Sequence, residues 1–218
     1  MPQSVLKLID RRSVVPVLTV SDPQKAVPVA EALARAGLTL VEVTLRTELA
    51  LKAAEVIIRA LPNLVVGVGT VTTVDQLKAS CDCGARFAVS PGLTPALAEA
   101  AERLAIPYLP GVQTVSEVLQ AREFGFDALK LFPAELAGGV QLLKQYAALF
   151  PTISFCPTGG ISQKNLRNYL REPNVFSVGG SWLAPANLID ASDWSSIEKL
   201  ASRAVQICQE FANQKFAQ

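Results

Sequence analysis

Lys130 lies in the most apolar strand-like run of the chain, ALKLF at positions 128–132. Lysine is seldom buried without a partner, because an apolar wall cannot replace the water that its ammonium group loses. Burial disfavours the charged form and leaves a free amine, which can attack a ketone and form a Schiff base. Two other interpretations stay open at this point: the side chain extends its head into water, or it pairs with a buried carboxylate.

The absence of histidine from the sequence limits the chemistry further. It excludes a Ser-His-Asp triad, a Cys-His dyad and a catalytic zinc held by histidine. Carboxylates, lysines, hydroxyls, arginines and backbone amides remain, and we expect neither a metal nor a cofactor. One CxC pair without a second pair at zinc-site spacing predicts ordinary thiols and no disulfide framework. The four cysteines are Cys81, Cys83, Cys156 and Cys208.

The composition predicts one domain that spans residues 1–218. Half of the residues are hydrophobic, 18% are charged and the net charge is +1, which argues against disorder and against a basic surface for nucleic acid. No apolar run reaches the roughly 18–20 residues of a membrane span, and no signal-peptide pattern follows Met1. We therefore expect a cytoplasmic protein that binds a small molecule and neither membrane nor nucleic acid.

Apolar, β-branched segments alternate with amphipathic segments along the whole chain. Strands are predicted at 14–20, 39–45, 64–71, 86–90, 106–109, 128–132, 152–156 and 175–178. Helices are predicted at 23–36, 48–60, 73–83, 95–104, 115–124, 140–150, 163–171 and 196–211. Residues suited to cap helix N-termini precede several of these segments; they are Ser21 or Asp22, Thr94, Thr114 and Ser162.

Eight strands in alternation with eight helices indicate parallel strands joined by helical crossovers. The closed arrangement of such units is an α/β fold, the (β/α)8 TIM barrel, here as a single domain. An open, doubly wound sheet is the alternative. Against it, no GxGxxG motif follows the first strand, where a dinucleotide-binding fold would place one.

Strand parity predicts which polar side chains face the barrel interior, because successive strand residues point to opposite faces. In residues 39–47 one face is apolar, and the other carries Glu42, Thr44 and Arg46. In the sixth strand Lys130 shares the inward face with Phe132. Lys130, Glu42 and Arg46 can therefore converge near the C-terminal ends of strands, where barrel enzymes keep their active sites. A purely structural ion-pair cluster is the alternative interpretation.

Glycine-rich segments end five of the predicted strands, at 67–70, 90–92, 110–111, 158–160 and 179–181. Glycine allows a backbone to approach a ligand closely and to expose its amides. Two of the segments follow strands seven and eight, the recurrent phosphate site of TIM barrels. The Gly159-Gly160 pair also precedes a predicted helix N-terminus, where an anion is favoured. A single glycine pair is more often a tight turn, but two at this position indicate a phosphate-bearing substrate.

Six ordered motifs resemble those of the 2-keto-3-deoxy-6-phosphogluconate (KDPG) aldolase family, which also handles 4-hydroxy-2-oxoglutarate. They are EVTLRT at 42–47, GTV at 69–71, SPGLT at 90–94, KLFPAE at 130–135, CPTGGI at 156–161 and GGSW at 179–182. The resemblance covers residues 14–183. It implies a class I aldolase in a (β/α)8 barrel, usually a homotrimer, that splits the phosphorylated keto acid into pyruvate and glyceraldehyde 3-phosphate.

The resemblance also implies a role for each matching residue. Lys130 would form the Schiff base and Glu42 would move protons, while Arg46 and Thr70 would bind the pyruvate carboxylate. Further substrate contacts would come from the pocket residues Pro91, Phe132 and Thr158. The phosphate would be held by Gly159, Gly160, Gly179, Gly180 and Ser181.

Two small departures from the family pattern concern Val68, where alanine is common, and Leu131, where phenylalanine is common. Parity places Leu131 outward, so that change concerns packing alone, whereas it places Val68 inward, where it would narrow the barrel interior. A phosphosugar isomerase or epimerase and a non-catalytic phospholigand-binding barrel are the rival functions. The preference between KDPG and hydroxyoxoglutarate, and the stereochemistry at C4, stay open.

Overall fold

The computed structural model describes residues 3–212, and its strands run in parallel around a barrel. Nine strand segments lie in this part of the chain. They are β1 Ser13–Leu18, β2 Leu40–Thr44, β3 Val65–Gly69, β4 Phe87–Val89, β5 Tyr108–Leu109, β6 Gly111–Val112, β7 Ala128–Leu131, β8 Ser154–Pro157 and β9 Ser177–Gly180.

Hydrogen-bond ladders join these segments in the orders β5-β4-β3-β2-β1-β9 and β6-β7-β8. β5 and β6 are one barrel strand interrupted at Pro110, which has no N–H to donate. Bridges from Phe155 to Val175 and from Thr158 to Gly179 connect β8 to β9 and close the ring. The predicted (β/α)8 barrel is therefore confirmed, and the open sheet is wrong.

Helices follow the strands and form the outer layer. They are α1 Ala26–Arg35, α2 Ala50–Ala60, α3 Val74–Asp82, α4 Pro95–Arg103, α5 Val115–Glu123, α6 Gly139–Leu149, α7 Leu166–Leu170, α8 Ala186–Asp190 and α9 Trp194–Ala212. Short 3₁₀ turns occupy Val5–Lys7 and Pro23–Lys25. None of the helices within residues 3–212 combines the length and apolarity that a membrane span requires.

The helix starts agree with the sequence predictions except at α7. Asp22, Thr94 and Thr114 accept hydrogen bonds from backbone amides of the turns they begin. Ser162 does not cap α7: the helix starts at Leu166, and the Ser162 N–H instead donates to Asn165 Oδ1 over 2.7 Å. The intervening turn satisfies its own backbone groups, so the capping pattern at Ser162 was misleading. α8 is an additional short helix that the sequence analysis did not predict.

Two apolar clusters fill the molecule, one between the strands and the helices and one inside the barrel. The inner cluster begins at the N-terminal ends of the strands, with Leu40, Phe87 and Ala128. Val5 and Ile9 from the segment before β1 pack against it and close this end of the barrel. The polar side chains of the interior therefore have only the opposite end, formed by the C-terminal ends of the strands, through which to meet a ligand.

Candidate active site

Lys130 and Glu42 meet inside the barrel, although 88 residues separate them in sequence. Lys130 Nζ lies 3.4 Å from Glu42 Oε1, and the two residues are 5% and 2% exposed. β2 and β7 carry them to opposite sides of the interior, as strand parity predicts. Each charge is removed from water, so each depends on the other for compensation.

Two glycines of β3 leave space for interior side chains, and one of these side chains is Glu42. Gly67 and Gly69 lie beside Glu42 and Thr44 in the ladder between β2 and β3. A Cβ added at Gly69 would overlap the Glu42 carboxylate, and one at Gly67 would overlap the Phe87 ring. The Glu42 carboxylate therefore occupies the space that a side chain at position 69 would fill.

The same contacts correct the expected orientation of Val68. Because Gly67 and Gly69 face the interior, Val68 between them faces outward, where it is fully buried in the cluster under the helices. The parity assignment for β3 was wrong by one residue, since glycines carry no side chain from which the inward face can be read. Leu131 belongs to the outer cluster as predicted.

Cys156 is an interior residue that the sequence analysis treated as an incidental thiol. It lies beside Lys130 in the ladder between β7 and β8 and is 2% exposed. Burial raises the pKa of its thiol to about 12, which the nearby Lys130 only partly opposes. The thiol therefore stays neutral and adds no competing charge or nucleophile beside the lysine. The position of Cys156 in the CPTGGI motif could have indicated from the sequence that it lies near the site.

Phe132 completes the immediate surroundings of the amine at the C-terminal end of β7. Its ring centroid lies 5.2 Å from Lys130 Nζ, within the range of a cation–π contact. The ring is half-buried, so one part faces the amine while another reaches the open end of the barrel. A substrate that enters from this end would meet the ring before it meets the lysine.

Arg46 does not join Lys130 and Glu42 in the interior. β2 ends at Thr44, whose hydroxyl donates to Leu18 O over 2.8 Å, and the chain then turns as Arg46 N–H donates to Thr44 O. The Arg46 side chain is exposed. Parity holds only within a regular strand, and Arg46 lies beyond the strand end, at the open end of the barrel. Its convergence with Lys130 and Glu42 therefore stays a prediction.

Thr70 and Pro91 follow β3 and β4 at the same end of the barrel, and both are half-buried. Thr70 has a φ of 60°, a backbone conformation that is unusual and costly for a β-branched residue. Pro91 packs so close to the next strand that a Cβ at Gly111 would overlap its carbonyl. Gly111 therefore serves close packing at the start of β6, and the expectation that it ends a strand was wrong.

The loops after β8 and β9 lie side by side. Thr158 is 7% exposed, and its hydroxyl fills the space left by the missing side chain of Gly179. Gly159 and Gly160 have φ values of 99° and 78°, which L-residues rarely adopt. The exposed Ser181 follows on the adjacent loop. Because α7 starts only at Leu166, the glycine pair does not lead directly into a helix N-terminus, contrary to the sequence prediction.

Ser181 and Trp182 border a cavity of about 350 Å³ at this end of the barrel. Gly180 lies under the Trp182 ring, which a Cβ at Gly180 would overlap. The cavity is lined by Val17, Thr19, Ser181, Trp182, Ala184, Pro185 and Ala186. The cavity thus lies beside the loop that follows β9.

The described part of the chain contains no group of three or more His, Cys, Asp or Glu side chains placed to hold a metal ion. All four cysteines are free thiols. The residues gathered at this end of the barrel supply an amine, a carboxylate and backbone amides. An amine beside a carboxylate, both almost inaccessible to water, can form an imine with a carbonyl compound and move protons around it.

Comparison with known proteins identifies the family of this chain. Residues 5–200 match the family model described as KDPG and KHG aldolase. The 2-dehydro-3-deoxy-phosphogluconate aldolase of Pseudoalteromonas atlantica is 46% identical over 88% of this chain and 89% of its own length. The KHG/KDPG aldolase of Escherichia coli K12 is 47% identical over 88% of this chain and 91% of its own length.

Solved structures agree in fold as well as in sequence. KDPG aldolase from Legionella pneumophila, with pyruvate captured as a covalent carbinolamine intermediate, has a TM-score of 0.86 and 44% identity, with coverage of 88% of this chain and 93% of that one. The Zymomonas mobilis enzyme with 3-phosphoglycerate has a TM-score of 0.83 and 42% identity, with coverage of 88% and 90%. The chain therefore belongs to the KDPG and KHG aldolase family.

Proposed function

We propose that this chain is a class I aldolase, a lyase that cleaves 2-keto-3-deoxy-6-phosphogluconate to pyruvate and glyceraldehyde 3-phosphate. The observation that carries the proposal is the buried pair of Lys130 Nζ and Glu42 Oε1, 3.4 Å apart inside the barrel. Family membership supports it, since relatives at 42–47% identity carry the name of this activity. Cleavage of 4-hydroxy-2-oxoglutarate to pyruvate and glyoxylate is a second proposed reaction at the same site.

Lys130 is the proposed nucleophile. After loss of its proton, the amine attacks C2 of the keto acid. The C2 oxygen then leaves as water with uptake of one proton, and a protonated imine remains. The C3–C4 bond then breaks, and its electron pair moves towards the imine and forms an enamine. Removal of the C4 hydroxyl proton completes the departing aldehyde. Protonation of C3 and hydrolysis of the imine release pyruvate and restore the lysine.

Glu42 is the proposed acid and base for these proton transfers. Its carboxylate is within reach of Lys130 Nζ and is held there by the absence of a side chain at Gly69. It can accept the C4 hydroxyl proton and later donate to C3, directly or through one water. One buried carboxylate then serves both steps.

The remaining proposed substrate contacts lie between the barrel interior and its open end. Arg46 and Thr70 would bind the pyruvate carboxylate, where the planar guanidinium of Arg46 can make paired hydrogen bonds. Pro91, Phe132 and Thr158 would shape the pocket. The phosphate would be bound by the two adjacent glycine loops, through Gly159, Gly160, Gly179, Gly180 and Ser181.

Three further predictions rest on the family resemblance and on composition. These are assembly as a homotrimer, a cytoplasmic location and a single domain over residues 1–218. The low charged fraction of 18% is compatible with an apolar contact between subunits.

Borohydride reduction with pyruvate is the test of the nucleophile. The treated protein should gain one reduced pyruvate adduct, and peptide mapping should place it on Lys130. Lys130→Met should abolish the adduct, whereas Lys144→Met, at an exposed lysine on α6, should leave it intact. An unmodified wild-type chain, or an adduct on another lysine, would refute the mechanism.

Glu42→Gln separates imine formation from proton transfer. The variant should still be trapped by borohydride, but pyruvate release from KDPG should fall at least about 100-fold, the usual scale of general acid–base catalysis. Glu123→Gln, at an exposed carboxylate at the end of α5, provides the control. Full turnover by Glu42→Gln would remove Glu42 from its proposed role.

The rival functions give different results in the same assays. An isomerase or epimerase would yield no pyruvate and no pyruvate adduct. A binding protein would bind the keto acid in calorimetry without releasing pyruvate. EDTA should leave cleavage unchanged, and inhibition that a divalent metal reverses would point to a metal-dependent enzyme.

A further inference from the structure

The loop that follows β7, the strand that contains Lys130, is hydrogen-bonded to the glycine loop after β8. Ala134 N–H donates to Thr158 O over 2.8 Å, and Glu135 N–H donates to Gly159 O over 3.1 Å. These two bonds continue the ladder beyond the ends of β7 and β8, where regular pairing stops. The position of the Gly159-Gly160 loop therefore depends on the position of the loop that contains Glu135.

The Glu135 side chain lies directly over Gly160. A Cβ added at Gly160 would lie 2.6 Å from both Cβ and Cγ of Glu135. Gly160 also has a φ of 78°, so its conformation excludes most other residues as well. The aliphatic part of an otherwise exposed glutamate thus forms one wall of the glycine loop.

Tyr169 on α7 fixes the carboxylate of Glu135. The tyrosine is fully buried, and its hydroxyl donates to Glu135 Oε1. Gly139, with a φ of 57°, provides the space: a Cβ there would lie 3.0 Å from the Tyr169 oxygen and 3.4 Å from Oε1. Burial and the adjacent carboxylate together raise the pKa of Tyr169. The hydroxyl thus keeps its proton and stays a hydrogen-bond donor.

We propose that Glu135 and Tyr169 are positioning residues that hold the Gly159-Gly160 loop in the geometry needed to bind the phosphate group of the substrate. The inference rests on the proposed function, which places the phosphate at this loop. An exposed glutamate loses side-chain entropy when it is held in one rotamer, and only a specific partner offsets that loss. Here the partner is a buried hydroxyl from the helix that follows the glycine loop.

The role is one of position and not of charge. A carboxylate beside a phosphate site repels the ligand, so charge alone would make Glu135 unfavourable. Its value lies in the contact of its methylene groups with Gly160 and in its bond to Tyr169. A glutamine has the same length and an oxygen that accepts the same hydrogen bond, so it should replace Glu135 in this role.

Steady-state cleavage of KDPG tests the inference with three variants and one matched control. Tyr169→Phe and Glu135→Ala should each raise KM for KDPG about tenfold, equivalent to roughly 1.4 kcal/mol, with a smaller effect on kcat. Glu135→Gln should restore KM to within about twofold of the wild-type value. The control is Tyr146→Phe, which removes a buried hydroxyl that donates to Gln113 O, and it should leave KM unchanged.

Reaction with pyruvate supplies a readout that does not involve phosphate. The pyruvate concentration that gives half-maximal trapping by borohydride should stay within about twofold in all four variants. Inorganic phosphate should inhibit wild type and Glu135→Gln more strongly than Tyr169→Phe.

Equal losses with KDPG and with pyruvate, or a KM for Glu135→Gln as high as for Glu135→Ala, would overturn the positioning role. Failure of the wild-type protein to be trapped at Lys130 would instead overturn the proposed function. Melting temperatures of the variants complete the comparison. If Tyr169→Phe and Tyr146→Phe melt at the same temperature but only Tyr169→Phe raises KM, the result supports the inference.

Discussion

At the scale of single residues, the buried lysine is tolerated because a carboxylate faces it. Lys130 and Glu42 are both almost inaccessible to water, and the distance of 3.4 Å between their charged atoms gives each the partner that it lacks in an apolar wall. Such a pair contributes little net stability, but removal of one member typically costs about 3–5 kcal/mol. Its retention inside a barrel that aliphatic residues could fill therefore argues for a function.

Gly69→Ala tests whether the Glu42 carboxylate occupies the position described. The added methyl group would overlap that carboxylate, so either the variant loses about 1–3 kcal/mol of unfolding free energy or Glu42 moves from Lys130. In both cases pyruvate release from KDPG should fall strongly. Urea unfolding and the cleavage assay provide the measurements.

Gly92→Ala is the spatial control for this change. No heavy atom lies within 4 Å of a Cβ added at Gly92, so the unfolding free energy should change by less than about 0.5 kcal/mol. If Gly69→Ala matched Gly92→Ala in stability and also kept wild-type turnover, the position of the Glu42 carboxylate would have to be revised.

At the scale of elements, a buried hydroxyl connects the ends of three strand segments. Ser90, immediately after β4, accepts a hydrogen bond from the Tyr108 hydroxyl over 2.6 Å and donates to Gly92 O over 2.6 Å. Gly111 N–H, at the start of β6, is 3.4 Å from the same oxygen. The Pro91 segment is thereby held against the strand that Pro110 interrupts.

Ser90→Ala should destabilise the protein by about 1–3 kcal/mol, because the Tyr108 hydroxyl would lose its partner in a dry environment. Tyr108→Phe removes the other member of the pair. The double variant should lose less unfolding free energy than the two single variants lose together, and the difference, the coupling energy, should be at least about 0.5 kcal/mol. Urea unfolding of all four proteins measures the coupling, and strict additivity would show that the bond carries no energy.

The elements also show where sequence reasoning fails. Parity placed Glu42 and Lys130 correctly because each lies within a regular strand with branched aliphatic neighbours. It does not extend to Arg46, beyond the end of β2, and it failed for Val68, between two glycines that fill no space of their own. The periods of 3.6 and two residues in the hydrophobic pattern reveal helices and strands. The residue at which each strand ends depends instead on its hydrogen bonds to neighbouring elements.

At the scale of the whole molecule, burial of thiol and phenol groups makes the stability of the fold sensitive to high pH. Burial raises the pKa values of Cys156 and Cys208 from 9.0 to about 12, and that of Tyr108 from 10.0 to about 12. Between pH 9 and pH 12 the unfolded chain therefore loses protons that the folded chain retains. The free energy of unfolding is unaffected by these groups below about pH 9 and falls as the pH rises through this interval.

At pH 10 each thiol should lower the free energy of unfolding by about 1 kcal/mol relative to neutral pH. Urea unfolding at pH 8 and pH 10, with a reductant present, measures the loss. Cys208→Ala removes one of the titrating groups, so its loss between the two pH values should be smaller than that of wild type by about 1 kcal/mol. An equal loss in both proteins would exclude Cys208 as a source of the alkaline sensitivity.

The sequence alone indicated the alternation of eight strands with eight helices, the chemistry available without histidine and Lys130 as the proposed nucleophile. Each of these depends on local periodicity or on residue type, which neighbours along the chain reveal. Its motifs also led to the family before any contact was known.

Only the tertiary structure decided how distant segments meet. It brought Glu42 within 3.4 Å of Lys130, left Arg46 at the open end of the barrel and turned Val68 outward. It also placed the hydroxyl of Tyr169 on Glu135. These outcomes depend on strand ends, on space left by glycines and on packing between residues far apart in sequence, and such contacts leave no period in the chain.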